Sequence, residues 1–298
     1  MRNRWLLNLG LVVLVGMLVL LAVSKRRVDK EPPAPPLTML VPEQIESIRI
    51  DRPDNERLVL QRQGENWLLI APLQARANPF RVESLLRLAT APSELRLRAD
   101  PDALSKYGLD QPKASVWFGQ AEIQAGRQHP FKNARYVRYG ETIHLIPTQY
   151  FTPGTYSYVN FINPRLFARD RAAVAFELPQ LSLRRIDGTW VTQPQRENLT
   201  TESINEFVDR WRRAQALYVE RYTGKPVQAR IRITFQADSG NAKAGENVLE
   251  LGILSYKPEL VLYRQDEGLD YHFTEDTGKK LLRITADAEE AAGNSGGK

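Results

Sequence analysis

Ile45-Glu46-Ser47-Ile48-Arg49-Ile50, Leu58-Val59-Leu60-Gln61 and Gly64-Glu65-Asn66-Trp67 alternate apolar and polar residues, then turn at a glycine into a tryptophan. Phe176-Glu177-Leu178, Leu181-Ser182-Leu183-Arg184-Arg185-Ile186 and Asp187-Gly188-Thr189-Trp190 repeat the plan further along. Successive strand side chains point to opposite faces, so this alternation predicts hairpins with one buried face. A proline follows each tryptophan closely, Pro72 in one copy and Pro194 in the other.

Each hairpin leads into a helix pattern. Asn78 and Pro79 suit an N-cap and first helical position, and Val82, Leu85, Leu86 and Ala89 form a single stripe. In the second copy Thr200 or Thr201 can cap, Glu202 suits the positive helix end, and Ile204, Phe207, Val208 and Trp211 repeat the stripe. Paired segments follow in the same order. Tyr107–Pro112 answers to Tyr222–Pro226, Ala114–Phe118 to Arg230–Phe235, and Glu122–Gly126 to Val248–Gly252. Arg135–Tyr139 with Thr142–Ile146 answers to Leu260–Arg264 with Leu269–Phe273.

The sequence therefore predicts an α+β fold of two repeated units, each a β-hairpin, one helix and an antiparallel meander. Unit one is placed at 41–155 and unit two at 175–284, with a connector at 156–174 carrying a short helix over Ile162–Asp170. Residues 285–298, rich in Ala, Glu and Gly, read as a disordered tail.

Ahead of the units, Trp5–Val23 is a run of 19 residues without a charge. As a helix it would span roughly 28 Å, close to a bilayer's hydrocarbon core. Residues 1–24 thus read as a tail and transmembrane anchor, helix 5–23, and residues 25–40 as a basic then proline-rich stalk. The net charge of +6 is concentrated here, because residues 1–30 hold six bases and one acid. A nucleic-acid domain needs a basic face of its own, so nucleic acid is excluded as a partner. Arg2 and Arg4 precede the run while Lys25, Arg26, Arg27 and Lys30 follow it. The flanking bases nearly balance. The short leading tail favours a signal anchor in a bacterial inner membrane, with the bulk of the chain periplasmic; cleavage near Ala22 and Ser24 is the competing reading.

The order of motifs resembles the bacterial family catalogued as domain of unknown function 4340. Gly64–Trp67, Leu69–Pro72, Asn78–Leu88, Leu104–Pro112, Arg165–Arg171 and Asp187–Trp190 carry the likeness, which covers most of 41–284. The resemblance implies a membrane-anchored protein, and for some members an auxiliary role beside ABC-type export systems, including gliding-motility ones. It transfers no catalytic residue.

Catalytic motifs are missing from the sequence. There is no cysteine, and His129, His144 and His272 lack HExxH spacing or a neighbouring ligand, so neither metal nor cofactor is expected. His144 and His272 sit at comparable places in the two copies and read as solvated strand residues. Asp266, Glu267, Asp270, Glu275 and Asp276 flank Gly268 and Gly278 and suit turns better than a cation site. Lys106, Tyr107, Gly108, Asp110 and Pro112 form the most distinct motif. Its reading is structural, with Gly108 left-handed, Asp110 capping and Tyr107 packing its ring.

The best candidate for a partner surface is the second helix. There Arg210, Arg212, Arg213 and Arg221 surround Trp211, Leu217 and Tyr218, a composition favoured at interfaces. The functional expectation is a single-pass, non-catalytic binding or scaffolding protein whose partners are membrane proteins, ABC-type transporter subunits by family analogy. The alternative is an envelope hydrolase or glycan-acting enzyme with its site between the units.

Overall fold

A computed structural model describes residues 10–11, 13–19, 34–53, 55–168, 170–195, 199–236 and 247–284. Unit one holds strands β1 (Ser47–Asp51), β2 (Leu58–Gln63), β3 (Asn66–Ala71) and β4 (Ala75–Arg76), then helix α1 (Pro79–Leu86). It continues through β5 (Leu95–Arg98), the single turn α2 (Leu104–Tyr107), β6 (Ser115–Phe118), β7 (Ala121–Gln128), β8 (Ala134–Tyr139), β9 (Thr142–Pro147) and α3 (Thr148–Phe151). Unit two holds β10 (Ala173–Leu178), β11 (Leu181–Ile186), β12 (Thr189–Gln193), α4 (Thr201–Arg213) and β13 (Tyr218–Arg221). It ends with β14 (Ala229–Phe235), β15 (Val248–Ser255), β16 (Glu259–Arg264), β17 (Leu269–Thr274) and α5 (Glu275–Leu282).

The fold is α+β, and its strands pair antiparallel throughout both sheets. The nine-stranded sheet runs β4-β3-β2-β1-β6-β7-β8-β9-β5, and the eight-stranded sheet runs β12-β11-β10-β14-β15-β16-β17-β13. Apart from the two-residue β4, the second order is the first repeated. In both, the strand after the helix crosses over to pair with the last strand of the meander, β5 on β9 and β13 on β17.

Apolar alternation fixes the register. Ile48 lies opposite Leu60 and Phe118, and Ile50 opposite Leu58 and Val116. Phe176 lies opposite Leu183 and Ile233. A one-residue slip would turn each set to solvent. Gly64 (φ 58°) sits in the β2–β3 turn, and Asp187 and Gly188 (φ 49° and 82°) make the matching β11–β12 turn.

Helices α1 and α4 cap as their sequences dictate. Asn78 accepts from the Phe80 N–H at 3.1 Å, and Thr200 from the Ser203 N–H at 3.1 Å. Val82 and Leu85 of α1, and Ile204, Phe207 and Trp211 of α4, are buried. Phe176, Phe207 and Trp211 form one aromatic cluster, and the Trp211 indole donates to Leu281 O at 2.9 Å, fastening α4 to α5. The buried apolar residues of both sheets belong to one continuous core.

Three expectations of secondary structure change. Residues 162–168 are irregular rather than helical, and short helical turns at Thr148–Phe151, Thr152–Thr155 and Tyr158–Phe161 precede them. With Asn163, Pro164 and Arg165 carrying out the chain reversal, a helix start is replaced by turns. Gly278 is no turn residue; it lies inside α5, where a Cβ would come within 2.5 Å of Leu260 Cβ. Tyr218–Arg221 leaves the helix surface and forms an edge strand.

Of the Trp5–Val23 run, residues 10–11 and 13–19 are described and are helical. Among the described residues no helix is long and apolar enough to cross a membrane. The ends of that run, residues 24–33 of the stalk and the tail from 285 lie outside the described residues.

Candidate functional site

The junction between the units is organised by Arg76. This residue ends β4, the one strand of unit one without a counterpart in unit two among the described residues. Its guanidinium donates to Glu267 Oε1 at 2.6 Å, to Arg165 O at 2.6 Å and to the Tyr271 hydroxyl at 3.2 Å. Its carbonyl accepts from the Asn163 N–H at 2.8 Å. One arginine therefore ties unit one to the connector and to the β16–β17 turn at once.

Glu267 is 7 % exposed at its side chain and also accepts from the Tyr271 hydroxyl. Arg264, 9 % exposed, lies 3.6 Å from Glu267, makes a bidentate pair with Asp266 and donates to Leu166 O. Two cations and two anions balance here, the condition under which buried charge is tolerated. Burial, reinforced by Glu267, pushes the Tyr271 hydroxyl well above its usual range. Burial disfavours ionised Asp266, but the hydrogen bond and charge of Arg264 outweigh it and hold the carboxyl low. A general acid needs a carboxyl pushed the other way. These groups are arranged to hold two units together.

The residues expected to form one partner surface separate. Trp211 is 1 % exposed and belongs to the core, because an amphipathic stripe at helical spacing points inward here. Arg210 pairs with Glu206 at 3.1 Å, and Arg213 lies 3.9 Å from Asp209 on the same helix. Arg221 reaches Glu56 of unit one at 3.3 Å and stacks over Tyr158. Leu217 and Tyr218 are exposed at 61 % and 47 %, alongside β17. What α4 does offer outward is a groove of about 390 Å³ against β12, lined by Trp190, Val208, Asp209 and Arg212.

The histidines at equivalent positions of β9 and β17 are buried rather than solvated. His144 pairs in register with Arg96 of β5, and His272 with Tyr218 of β13. Their surroundings differ. His144 Nδ1 faces the Ser93 hydroxyl at 2.9 Å while its Nε2 has no partner, and burial, aided by the Arg96 charge, lowers its pKa to about 4. His272 sits between Glu259 and Glu220, both at 3.0 Å, with the Tyr218 ring stacked on it at 4.1 Å. The two carboxylates occupy opposite edges of one imidazole and do not converge on a shared ion. Among the described residues no cluster of His, Asp and Glu has the arrangement of a metal site.

The Lys106–Pro112 motif makes a turn. α2 ends at Gly108 (φ 65°, ψ 35°), whose N–H returns to Ser105 O, and the Leu109 N–H returns to Leu104 O. Tyr107 meets Tyr136 edge-on at 4.9 Å, and Lys106 lies over the Tyr107 ring. Asp110 is exposed and makes no hydrogen bond among the described residues, so the left-handed glycine does the capping alone. Pro112 is half-buried.

Of the acids, Asp266 and Glu267 lie in the β16–β17 turn beside Gly268. Glu275 and Asp276 open α5 and pair with Lys279 and Lys280. Asp270 departs from the turn expectation: fully buried in β17, it accepts from both the N–H and hydroxyl of Thr223 at 2.9 Å. Strand alternation could have placed it, since Leu269, Tyr271 and Phe273 share the other face.

A family model described as domain of unknown function, DUF4340, matches residues 67–229. No curated protein and no solved structure matches the chain.

Proposed function

The chain belongs to the DUF4340 family, and we propose that it is a single-pass membrane-anchored, non-catalytic binding or scaffolding protein. One observation carries this reading. In the helical stretch within residues 10–19, Leu11, Val13, Leu14, Val15, Met17, Leu18 and Val19 are each more than half exposed. An apolar helix with side chains bared on all sides is unstable in water and needs lipid or protein around it. The sequence extends that run to 5–23, long enough for a bilayer core.

The junction supports the scaffolding part. Arg76 of unit one bonds to Glu267 of unit two and to Arg165 O of the connector, which ties the two sheets together. The partner is proposed, from the family resemblance, to be a membrane protein of an ABC-type export or other envelope complex. The bulk of the chain is proposed to lie on the periplasmic side of a bacterial inner membrane.

Two measurements on the tagged full-length chain test this. Carbonate washing of membranes should leave it in the pellet, and protease added to spheroplasts should digest its body; release by carbonate would sink the anchor. Mild-detergent purification should recover transporter subunits in fixed ratio; recovery matching a control carrying residues 1–40 alone would sink the stable complex.

A further inference from the structure

The tip of the β7–β8 hairpin carries the most exposed aromatic side chain among the described residues. Phe131 is 93 % exposed. The loop does not leave it loose: His129 Nδ1 accepts from the Phe131 and Lys132 N–H groups, both at 3.1 Å. Behind it an aromatic ladder runs into the body, from Phe131 to His129 at 6.3 Å, His129 to Tyr136 at 5.8 Å, and Tyr136 to Tyr107 at 4.9 Å. Lys106, Lys113, Arg127 and Lys132 are exposed around this ladder, against the acids Glu94 and Asp110. Of these bases only Lys132 has an ion pair among the described residues, with Glu94 at 3.3 Å.

The folded body also begins at this end of the sheet. The Ser93 N–H donates to Pro35 O at 2.9 Å, Arg96 donates to Pro36 O at 2.7 Å, and Pro36 bridges to Pro92. Ala134 lies opposite Pro147 and Leu95 opposite Leu145, which puts the tip, Glu94 and the entering chain at the same end. Between Val23 and Ala34 stand ten residues, 24–33, which even fully extended reach no more than about 35 Å.

We infer that the β7–β8 tip is a membrane-docking surface, occupied by the bilayer that holds the anchor. Phe131 enters the headgroup layer while Lys106, Arg127 and Lys132 face anionic lipid headgroups. The inference rests on the anchored reading above, which supplies the tether. A large apolar side chain exposed on a hydrogen-bonded loop and fringed by bases is the composition of an interfacial anchor. Juxtamembrane bases gain about fivefold each from an anionic surface. The chain joins the folded body at this end of the sheet, only those ten residues away from the apolar run.

The chain has no cysteine, so Phe131→Cys provides a single attachment point for an environment-sensitive fluorophore. Glu141→Cys, in the exposed β8–β9 turn at the opposite end of the sheet, provides the control. Full-length chain is reconstituted into phosphatidylethanolamine–phosphatidylglycerol vesicles and, separately, into phosphatidylcholine vesicles, then floated. Docking requires a blue-shifted label at position 131, with aqueous iodide quenching down by roughly half or more, and an unshifted label at 141. It also requires that the effect weaken in phosphatidylcholine and in Phe131→Cys carrying Arg127→Glu and Lys132→Glu. Protein that floats with a fully quenched label at 131, or with equal shifts at both positions, overturns the docking and leaves the anchor standing. Protein that fails to float overturns both.

Discussion

Arg76 and Glu267, 191 positions apart, meet at 2.6 Å across the junction of the two units. The glutamate is nearly buried, and the arginine also holds the connector through Arg165 O. Arg76→Ala removes the closest partner and leaves Glu267 only the Tyr271 hydroxyl and the more distant Arg264 at 3.6 Å. Loss of one member of a buried pair costs about 3–5 kcal/mol, here towards the lower figure because Arg76 is a quarter exposed. Urea denaturation should show it. The double variant Arg76→Ala with Glu267→Ala should lose less than the sum of the two single losses, the mark of direct coupling; additive losses would mean that the pair does not act as a pair.

Trp211 is expected to behave as a core residue. Trp211→Ala should cost about 3–5 kcal/mol by removing a buried ring and leaving a cavity. It also strands the Leu281 carbonyl that the indole satisfies. Arg213→Ala, on the exposed side of the same helix, should change stability by no more than about 0.5 kcal/mol. Comparable effects at the two positions in a thermal melt would contradict this placement.

Much of the fold was legible because strand alternation and register are the same information. Ile48, Ile50, Leu58 and Leu60 fall on one face by alternation, so a one-residue slip would expose them, and Phe176, Leu183 and Ile233 repeat that arrangement. The crossover strands β5 and β13 were illegible, since four residues give too few alternations to separate an edge strand from a helix end. Composition alone therefore groups Tyr218 and Arg221 with a helix they do not belong to. The junction was equally hidden. Nothing local marks Arg76 or Glu267, because their contact exists only once the two units have packed.

The turn formed by the Lys106–Pro112 motif sets two glycines against one acid. A Cβ at Gly126 would lie 2.3 Å from Tyr107 O, and Gly108 holds φ 65°. Gly126→Ala should therefore destabilise by about 1–3 kcal/mol through backbone displacement, and Gly108→Ala by about 1–2 kcal/mol through the left-handed penalty. Asp110→Ala, whose carboxylate bonds to nothing among the described residues, should be neutral within about 0.5 kcal/mol. A large loss at Asp110 beside small losses at both glycines would assign the motif to chemistry instead of geometry.

His144 should give the fold a pH dependence of its own. Burial holds the folded-state pKa at about 4, while an unfolded histidine titrates near about 6.5. Between these values the unfolded chain binds the proton and the folded chain does not. Stability therefore rises with pH across that window, by linkage, and falls as pH drops from about 6.5 to about 4. The full shift corresponds to about 3 kcal/mol at most, and below pH 4 this group adds no further slope. The unpartnered Nε2 explains why protonation is resisted, since the new N–H would find no acceptor. Urea midpoints of the wild type and His144→Gln, followed from about pH 7.5 to about 4.5, isolate the effect from the carboxylates that titrate lower. The difference between the two curves should open in favour of the variant as pH falls; parallel curves would mean that His144 takes up its proton equally in both states and is not sealed as the structure has it.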